Sequence, residues 1–334
     1  MPADKTPIAV LGAGSWGTAL ALQFARSGRP ILLWGRDKAR IASIRNNRIN
    51  FHYLPDTRLP ENVYPETDLA KCLRGANNVL VSVPSHGLRE TLSKIAPLLD
   101  EDARVCWATK GFELSTGQLP HQVAKDILGA KQPVAVLSGP TFAIEVGKRL
   151  PTLMTIAATT IEFAEELAVL LSSDNFRVYT SEDITGVEVG GAVKNVLAIG
   201  AGVSDGLGFG ANTRIALINR GLVEMTRLGI SLGARSETFM GLSGMGDLVL
   251  TCTDDKSRNR RMGLLLANGK TISAAQDEIG QVVEGIRAAK AVKKVAQDHR
   301  VIMPICDEIY RILYDNVPPH EAVSTLMGRA LKPE

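Results

Sequence analysis

The first half of the chain alternates short apolar runs with stretches of helical periodicity. Helical patterns cover 18–27, 38–48, 87–99, 119–128 and 161–171. The apolar runs are 8–11, 30–34, 78–83, 104–109, 133–137, 152–158 and 176–179. Apolar runs of this length, separated by helices, are typical of a parallel sheet that is covered on both faces. The pattern predicts an α/β fold over residues 1–186, with a Rossmann-like, doubly wound, mostly parallel sheet.

From Val187 onward the pattern changes to helical periodicity with many small residues and no convincing strand. A long helix begins near Gly190. Further candidate helices cover 212–228, 236–241, 257–267, 271–277, 283–298, 304–314 and 318–327. The sequence therefore predicts a second, all-helical domain over residues 187–334.

The net charge and the cysteine content argue against some classes of function. Among 334 residues, 38 basic and 35 acidic side chains leave a net charge of only +3, which argues against a general nucleic-acid binder. The four cysteines are widely spaced, with no C-x-x-C or H-E-x-x-H motif, so we expect no metal site and free thiols in a reducing compartment. We find no signal-peptide pattern and no apolar run near the ~20 residues of a membrane helix. We therefore expect a cytoplasmic protein without membrane insertion.

A glycine-rich turn follows the first apolar run and opens the first helix. The motif is Gly12-Ala13-Gly14-Ser15-Trp16-Gly17, a G-x-G-x-x-G spacing. In this context Gly12 permits the tight turn, Gly14 lets a pyrophosphate approach the backbone, and Gly17 lets the helix lie on the strand. The helix amides would then face the anion. The alternative is an ordinary glycine-rich turn, but the strand–turn–helix context favours a dinucleotide site.

The end of the second strand carries two opposing signals about the dinucleotide. Asp37 has nearly the spacing expected of an acid that binds the ribose hydroxyl of NAD, whereas Arg36 suits the 2′-phosphate of NADP. The last strand position, where such an acid usually stands, is Trp34 or Gly35. The pattern favours Arg36 and NADP, although both charges could instead belong to a solvated loop.

Two lysines are candidates for moving a proton. Lys194 lies on a helix face of small and apolar neighbours, where desolvation would make it a useful acid/base group. Its alternative is a packed lysine whose ammonium reaches water. Lys110 stands at a strand exit before Gly111. Asp247, in the turn Gly244-Met245-Gly246-Asp247-Leu248, could pair with a catalytic lysine or cap a helix.

A basic segment at a helix start is the second strong signal. Ser257, Arg258 and Asn259 fall in the first turn of a predicted helix, where free amides favour an anion and an arginine fork suits phosphate. A solvated basic face or a weak nucleic-acid patch is the alternative. Glu284, which opens another helix, could bind cofactor hydroxyls or only complement the helix dipole.

Six motifs in this order resemble the bacterial NAD(P)-dependent glycerol-3-phosphate dehydrogenase family along nearly the whole chain. They are Leu11–Ala19, Thr109-Lys110-Gly111, Ser138–Ala143, Gly191–Asn195, Gly244–Leu248 and Ser257-Arg258-Asn259. The resemblance implies reversible reduction of dihydroxyacetone phosphate to sn-glycerol 3-phosphate for phospholipid synthesis, a cytoplasmic homodimer, and a helical domain like the C-terminal domain of 6-phosphogluconate dehydrogenase.

The resemblance also implies roles for individual residues. Lys194 would be the proton acceptor, with Lys110 and Asp247 in the catalytic site. The residues that would contact the cofactor, besides Gly12, Gly14 and Gly17 of the turn, are Ser15, Trp16, Arg36, Lys110, Ala143, Arg258, Val282 and Glu284. The substrate would contact Lys110, Gly139, Thr141, Lys194, Asp247, Ser257, Arg258 and Asn259. Position 141 is often serine in this family, and threonine keeps the hydroxyl.

Two other functions remain open on the residues alone. One is a related dehydrogenase for a non-phosphorylated β-hydroxy substrate, against which the Ser257-Arg258-Asn259 cluster argues. The other is a cofactor-sensing module without catalysis, against which the presence of both Lys110 and Lys194 argues.

Overall fold

A computed structural model describes residues 6–330 of the chain. Its ten strands are β1 (Ile8–Leu11), β2 (Ile31–Trp34), β3 (Ile49–Asn50), β4 (Leu54–Arg58), β5 (Val63–Glu66), β6 (Asn78–Val81), β7 (Arg104–Trp107), β8 (Val134–Ser138), β9 (Thr152–Ala158) and β10 (Phe176–Ser181). Eight of them form one sheet in the order β10-β9-β8-β7-β6-β1-β2-β5, and β3 pairs with β4. All neighbours in the large sheet are parallel except β8 and β9. The predicted mostly parallel sheet is confirmed.

Seven helices accompany these strands. They are α1 (Ser15–Ala25), α2 (Lys38–Asn47), α3 (Leu69–Leu73), α4 (Leu88–Ile95), α5 (Pro120–Leu128), α6 (Ala143–Gly147) and α7 (Ile161–Leu171). Short 3-10 turns cover Ser85–Gly87 and Ala96–Leu98. Helix α1 begins at Ser15, three residues earlier than predicted, because the glycine turn leads directly into it.

The sequence pattern missed three short strands between α2 and α3. Most of β4 is exposed, so it shows no apolar run, and β5 contains Pro65. A proline in a strand is tolerated at a sheet edge, and β5 is one of the two edge strands. Arg48 donates to the carbonyl of Val63 at 2.9 Å and Arg45 to that of Pro65 at 2.7 Å, so two guanidinium groups cover the outer carbonyls of β5.

The carboxyl ends of β1, β2, β6, β7 and β8 lie at one edge of the sheet because these strands are mutually parallel. The segments that leave this edge begin at Gly12, Gly35, Ser82, Ala108 and Gly139. Ligands of open α/β sheets bind outside the carboxyl ends of the strands. The candidate residues of the first half therefore follow strands that end at the same edge.

The rest of the described chain is helical. Its helices are α8 (Ile184–Gly206), α9 (Ala211–Ser231), α10 (Asp247–Thr253), α11 (Arg258–Ala267), α12 (Ile272–Ile279), α13 (Glu284–Asp298), α14 (Pro304–Tyr314) and α15 (Pro319–Met327). A 3-10 turn covers Ser236–Met240 and a π turn covers Leu242–Gly246. No strand occurs after Ser181 in the described residues. The predicted helical second half is confirmed, with α10 in place of the turn expected around Asp247.

Helix α8 is the central helix of this half. Every residue from Gly186 to Ser204 is buried, and most of them are small or apolar, which is typical of a helix in a core. A Cβ on Gly263 of α11 would stand 2.0 Å from the carbonyl oxygen of Ile199, so the two helices are in backbone contact. Helix α8 is also long and apolar enough to cross a membrane, but 89% of that window is buried inside the protein. Its apolar character is therefore accounted for by the core.

The described chain divides into two compact units that are not continuous in sequence. The first consists of the chain up to Lys110 together with Pro120–Ile184, and the second consists of Gly111–Leu119 together with the chain from Thr185 onward. Phe112 and Leu119 are buried in the hydrophobic core of the second unit. The second unit thus includes a nine-residue segment that lies within the predicted first domain.

Candidate functional site

The glycine turn of the first unit has the geometry that a dinucleotide loop needs. Gly12 has φ +122°, and a Cβ there would stand 2.2 Å from the carbonyl oxygen of Ser82. A Cβ on Gly17 would stand 1.8 Å from the carbonyl oxygen of Gly12. Gly14 is the N-cap of α1, and in the described part of the chain no atom beyond its own neighbours lies within 4 Å of the place where its side chain would be. Two glycines are thus required by packing, and the third leaves open space beside the helix N-terminus, so the turn fits a dinucleotide phosphate.

Ser15 and Trp16 are the first residues of α1, and both are partly exposed beside the turn. At the end of β2, Arg36 is exposed. Asp37 is instead the N-cap of α2, where its carboxylate accepts a hydrogen bond from the Arg40 amide at 3.0 Å and lies 3.7 Å from the Arg40 guanidinium. The acid that suggested NAD in the sequence is therefore engaged in a helix cap.

The remaining first-unit candidates follow two neighbouring parallel strands. Lys110 comes three residues after β7 and is partly exposed. Gly139 follows β8 directly, with φ +151° and its Cβ position only 3.1 Å from the Met154 Cα. The Thr141 hydroxyl donates to the carbonyl of Gly139 at 3.2 Å, and Ala143 is the first residue of α6. These residues therefore stand at the sheet edge that carries the glycine turn.

The second unit holds a buried lysine–carboxylate pair. Lys194, on α8, forms an ion pair with Asp247, the first residue of α10. Its ammonium also donates to the Thr251 hydroxyl at 3.0 Å, and that hydroxyl donates to the Asp247 carbonyl at 2.6 Å. Lys194 is 8% exposed and Asp247 is 1% exposed. The pairing that the sequence suggested is present, and two acceptors hold the ammonium in a defined direction.

Asn259 joins the lysine-bearing helix to the start of α13. Its side-chain nitrogen donates to the Asn195 side chain at 2.8 Å, and its side-chain oxygen accepts from the Gly285 amide at 2.9 Å. Asn195 is the residue after Lys194, and it also donates to the carbonyl of Gly191 at 3.3 Å. This buried chain fixes the start of α11 relative to Lys194. It gives Asn259 a structural task that the sequence did not indicate.

The candidate phosphate residues lie where α11 and α13 begin. Ser257 is the N-cap of α11, and its hydroxyl oxygen accepts from the Arg260 amide at 3.2 Å. Arg258 is exposed and donates to the Gln281 side chain at 3.4 Å. Val282 is half exposed, and Glu284 is the first residue of α13. The structure therefore brings together the candidate residues of this unit, from Lys194 to Glu284.

The basic run from Arg258 to Arg261 is not a uniform charged face. Arg260 is 8% exposed and its guanidinium contacts Asp205 at 2.6 Å and also Asp255. Asp205 in turn contacts Arg214 at 2.8 Å. Arg260 is thus used inside the fold, which weakens the nucleic-acid interpretation of this run.

Sequence reasoning missed Thr251 and Gln281 as neighbours of candidate residues. Thr251 lies four positions after Asp247, a spacing that places two side chains on one helix face. Because the segment around Asp247 was predicted as a turn, that signal went unused. Gln281 precedes α13 in a loop, and no spacing rule relates it to Arg258.

Family models account for most of the chain. One described as NAD-dependent glycerol-3-phosphate dehydrogenase N-terminus matches residues 7–164, and one described as NAD-dependent glycerol-3-phosphate dehydrogenase C-terminus matches residues 183–324. Two similar proteins are named glycerol-3-phosphate dehydrogenase (NAD(P)+). That from Shewanella sediminis is 54% identical over 99% of this chain and 98% of its own length. That from Klebsiella pneumoniae is 53% identical over 100% of this chain and 99% of its own length.

A solved structure is similar along the whole chain as well. The crystal structure of glycerol-3-phosphate dehydrogenase from Coxiella burnetii at 44% identity has a TM-score of 0.95 and covers 97% of this chain and 99% of its own. The similarity to the Coxiella burnetii structure extends over both units, so the sheet half and the helical half each have the fold of that enzyme.

Proposed function

The chain belongs to the NAD-dependent glycerol-3-phosphate dehydrogenase family, and from this premise we propose that it catalyses the reversible reduction of dihydroxyacetone phosphate to sn-glycerol 3-phosphate with NADPH or NADH. Bound nicotinamide would supply the hydride that the carbonyl carbon receives. The chain itself must then bind the phosphorylated ketone and deliver one proton to its oxygen.

Lys194 is the group that moves this proton. In the reduction its ammonium gives a proton to the carbonyl oxygen, and in the reverse reaction the neutral amine accepts the proton of the hydroxyl. The observation that supports this role is the buried contact of Lys194 with Asp247 and Thr251, which fixes the direction of the amine. Lys110, at the exit of β7, completes the catalytic set that we propose.

The cofactor would be held by the turn Gly12–Gly17, whose last three residues begin α1 and whose free backbone amides favour a diphosphate. The other proposed cofactor contacts are Ser15, Trp16, Arg36, Lys110, Ala143, Arg258, Val282 and Glu284. We propose NADP as the preferred form, because Asp37 is engaged in the cap of α2 while the Arg36 guanidinium is exposed at the end of β2.

The substrate phosphate would lie at the start of α11. Arg258 offers a planar pair of donors, and the Ser257 hydroxyl, which accepts from the Arg260 amide, retains its own hydrogen for a phosphate oxygen. The proposed substrate contacts are Lys110, Gly139, Thr141, Lys194, Asp247, Ser257, Arg258 and Asn259. For Asn259, the bonds to Asn195 and Gly285 support a share in aligning the site as well.

The cellular setting follows from the proposed reaction. We propose a cytoplasmic enzyme that supplies glycerol phosphate for phospholipid synthesis and acts as a homodimer. The four cysteines are all free and buried, which is compatible with a reducing compartment.

A side-by-side assay tests the reaction. Purified protein is mixed with NADPH or NADH and with dihydroxyacetone phosphate or unphosphorylated dihydroxyacetone, and the loss of reduced cofactor is followed by its absorbance. We expect turnover with the phosphorylated ketone only. Comparable rates with both ketones would instead support a dehydrogenase for non-phosphorylated substrates, and cofactor binding without any turnover would support a sensing module.

A further inference from the structure

Asn50 lies against the glycine turn from a strand outside the main sheet. It ends β3 and is fully buried. Its side-chain nitrogen donates to the carbonyl oxygen of Ala13 at 3.1 Å and to the Thr18 hydroxyl at 2.9 Å. Ala13 is the residue between Gly12 and Gly14, and Thr18 lies in the first turn of α1. One amide group therefore holds both the turn and the helix that follows it.

The orientation of the Asn50 amide is fixed by its partners. A backbone carbonyl can only accept a hydrogen bond, so the nitrogen of Asn50 must face Ala13. The Asn50 side-chain oxygen is buried and has no hydrogen-bond partner among residues 6–330. An unsatisfied buried oxygen is unfavourable and uncommon in native proteins. The hydrogen bonds that the Asn50 side chain makes are therefore those of its donor end, which binds the turn.

The contact with Ala13 also sets the direction of the next amide. In a planar trans peptide the carbonyl of one residue and the N–H of the next point in opposite directions. With the Ala13 carbonyl turned to Asn50, the Gly14 N–H is directed away from β3. Apart from its own chain neighbours, no described residue places an atom within 4 Å of the Cβ position of Gly14, so the backbone here is open to a ligand.

We propose that Asn50 is a positioning residue for cofactor binding: it holds the Ala13–Gly14 peptide so that the Gly14 N–H is aimed at the diphosphate of the dinucleotide. This inference rests on the proposed assignment of the glycine turn to the cofactor. Asn50 would touch neither the nicotinamide nor the substrate. It removes rotational freedom from the donor before the ligand arrives, and preorganisation of this kind increases affinity.

Binding measurements on Asn50→Leu test the proposal, with Thr18→Val as the matched control. Both substitutions keep a side chain of similar size and remove a hydrogen bond of the same amide, but only the first removes the bond to the turn. We expect about 10-fold weaker binding of NADPH and of ADP-ribose by Asn50→Leu in calorimetric titration, which corresponds to about 1.4 kcal/mol. Thr18→Val should stay within about 2-fold of the unmodified chain.

Thermal melting separates this role from a merely structural one. A structural role would lower the melting temperature of both variants and leave the affinity of folded protein unchanged. If folded Asn50→Leu binds NADPH with unchanged affinity, or if Thr18→Val weakens binding equally, the proposal is overturned. If Asn50→Leu does not fold, Asn50→Ala is titrated in its place against the same criteria.

The proposed reaction and this inference can fail separately. If the unmodified chain binds NADPH and ADP-ribose but does not reduce dihydroxyacetone phosphate, the substrate assignment fails while the Asn50 comparison can still be made. If the chain reduces the ketone and the Asn50 variants bind NADPH normally, only the positioning role fails.

Discussion

Lys194 and Asp247 form an ion pair that joins the central helix α8 to the first residue of α10. Both residues are almost fully buried, and Thr251 accepts a further hydrogen bond from the ammonium. A buried pair contributes little to stability by itself, because desolvation offsets much of the attraction. The arrangement is better explained by the direction it gives to the amine than by the free energy of folding.

Replacing Lys194 with alanine should reduce turnover of dihydroxyacetone phosphate by about 10² to 10⁴-fold, the usual contribution of a general acid/base group. The affinity for NADPH, measured by titration, should change little. Lys293→Ala is the control, since Lys293 forms a partly exposed pair with Asp307 at 2.7 Å. A Lys194→Ala enzyme with the rate of the control would contradict the proposed role.

Replacing Thr251 with valine should lower kcat by about 10-fold, because it removes a hydrogen bond to a charged group worth roughly 1.5 kcal/mol. The KM for the ketone should move much less, since the Thr251 hydroxyl contacts Lys194 and the Asp247 carbonyl. Thr253→Val on the same helix is the control, because the exposed Thr253 hydroxyl donates to the carbonyl of Val249 and not to Lys194 or Asp247. Equal kinetics in the two variants would remove Thr251 from the alignment of Lys194.

Replacing Arg258 with alanine should raise the KM for dihydroxyacetone phosphate by about 10 to 100-fold, the range expected for a lost charge-assisted hydrogen bond. Arg261→Ala, three residues further along α11, tests for a general effect of charge. Steady-state kinetics at saturating cofactor give the KM for dihydroxyacetone phosphate in both variants and so separate a specific phosphate contact from a general effect of charge. An unchanged KM in Arg258→Ala would mean that the phosphate binds elsewhere.

Replacing Arg36 with alanine should raise the KM for NADPH by about 10-fold through the loss of one charge-assisted contact, and should leave the KM for NADH nearly unchanged. Arg40→Ala is the control, because Arg40 lies on the same helix-start segment but pairs with Asp37. Parallel titrations with both cofactors provide the measurement. Equal effects on NADPH and NADH would show that Arg36 does not read the 2′-phosphate.

Glu224 makes stability depend on pH. Burial raises the pKa of its carboxyl from 4.5 to about 7, although it accepts hydrogen bonds from the amides of Ile305 and Cys306 at 2.7 and 3.1 Å. The folded chain therefore holds this proton more tightly than the unfolded chain. The resulting stabilisation is complete below about pH 4.5, is lost as the pH rises through 7, and amounts to roughly 3 kcal/mol.

Urea unfolding at pH 5 and pH 8 measures this effect. Glu224→Gln should reduce the loss of unfolding free energy between the two values, and the exposed Glu237→Gln should retain it. The opposite result would be an unmodified chain that loses less unfolding free energy between pH 5 and pH 8 than Glu224→Gln does. It would show that the amides at the start of α14 favour the charged carboxylate.

The sequence predicts the fold well where one pattern covers a whole element. The strands of the large sheet other than β5 were located closely because each contains a short, mostly apolar run, and the helix α14 was located closely because its apolar positions recur with helical spacing. The strand β3 was missed because it has only two residues, β4 because it is largely exposed, and β5 because it contains a proline. Only pairing with a neighbour makes these segments strands.

The candidate site was predictable as a set of residue types but not as a set of contacts. The pairing of Lys194 with Asp247 could be suggested, since opposite charges on a buried face need partners. The task of Asn259 as a bridge to Asn195 and Gly285 could not, because these three residues are far apart in sequence and only the packed helices bring them together.

The segment Gly111–Leu119 limits how the helical half can be expressed alone or exchanged between relatives. Because Phe112 and Leu119 fill its core, expression of residues 185–334 alone would leave two holes and exposed apolar walls. A chimera made at a single crossover near residue 185 would combine this segment with a foreign core. Exchange between relatives must therefore transfer these nine residues along with the helices.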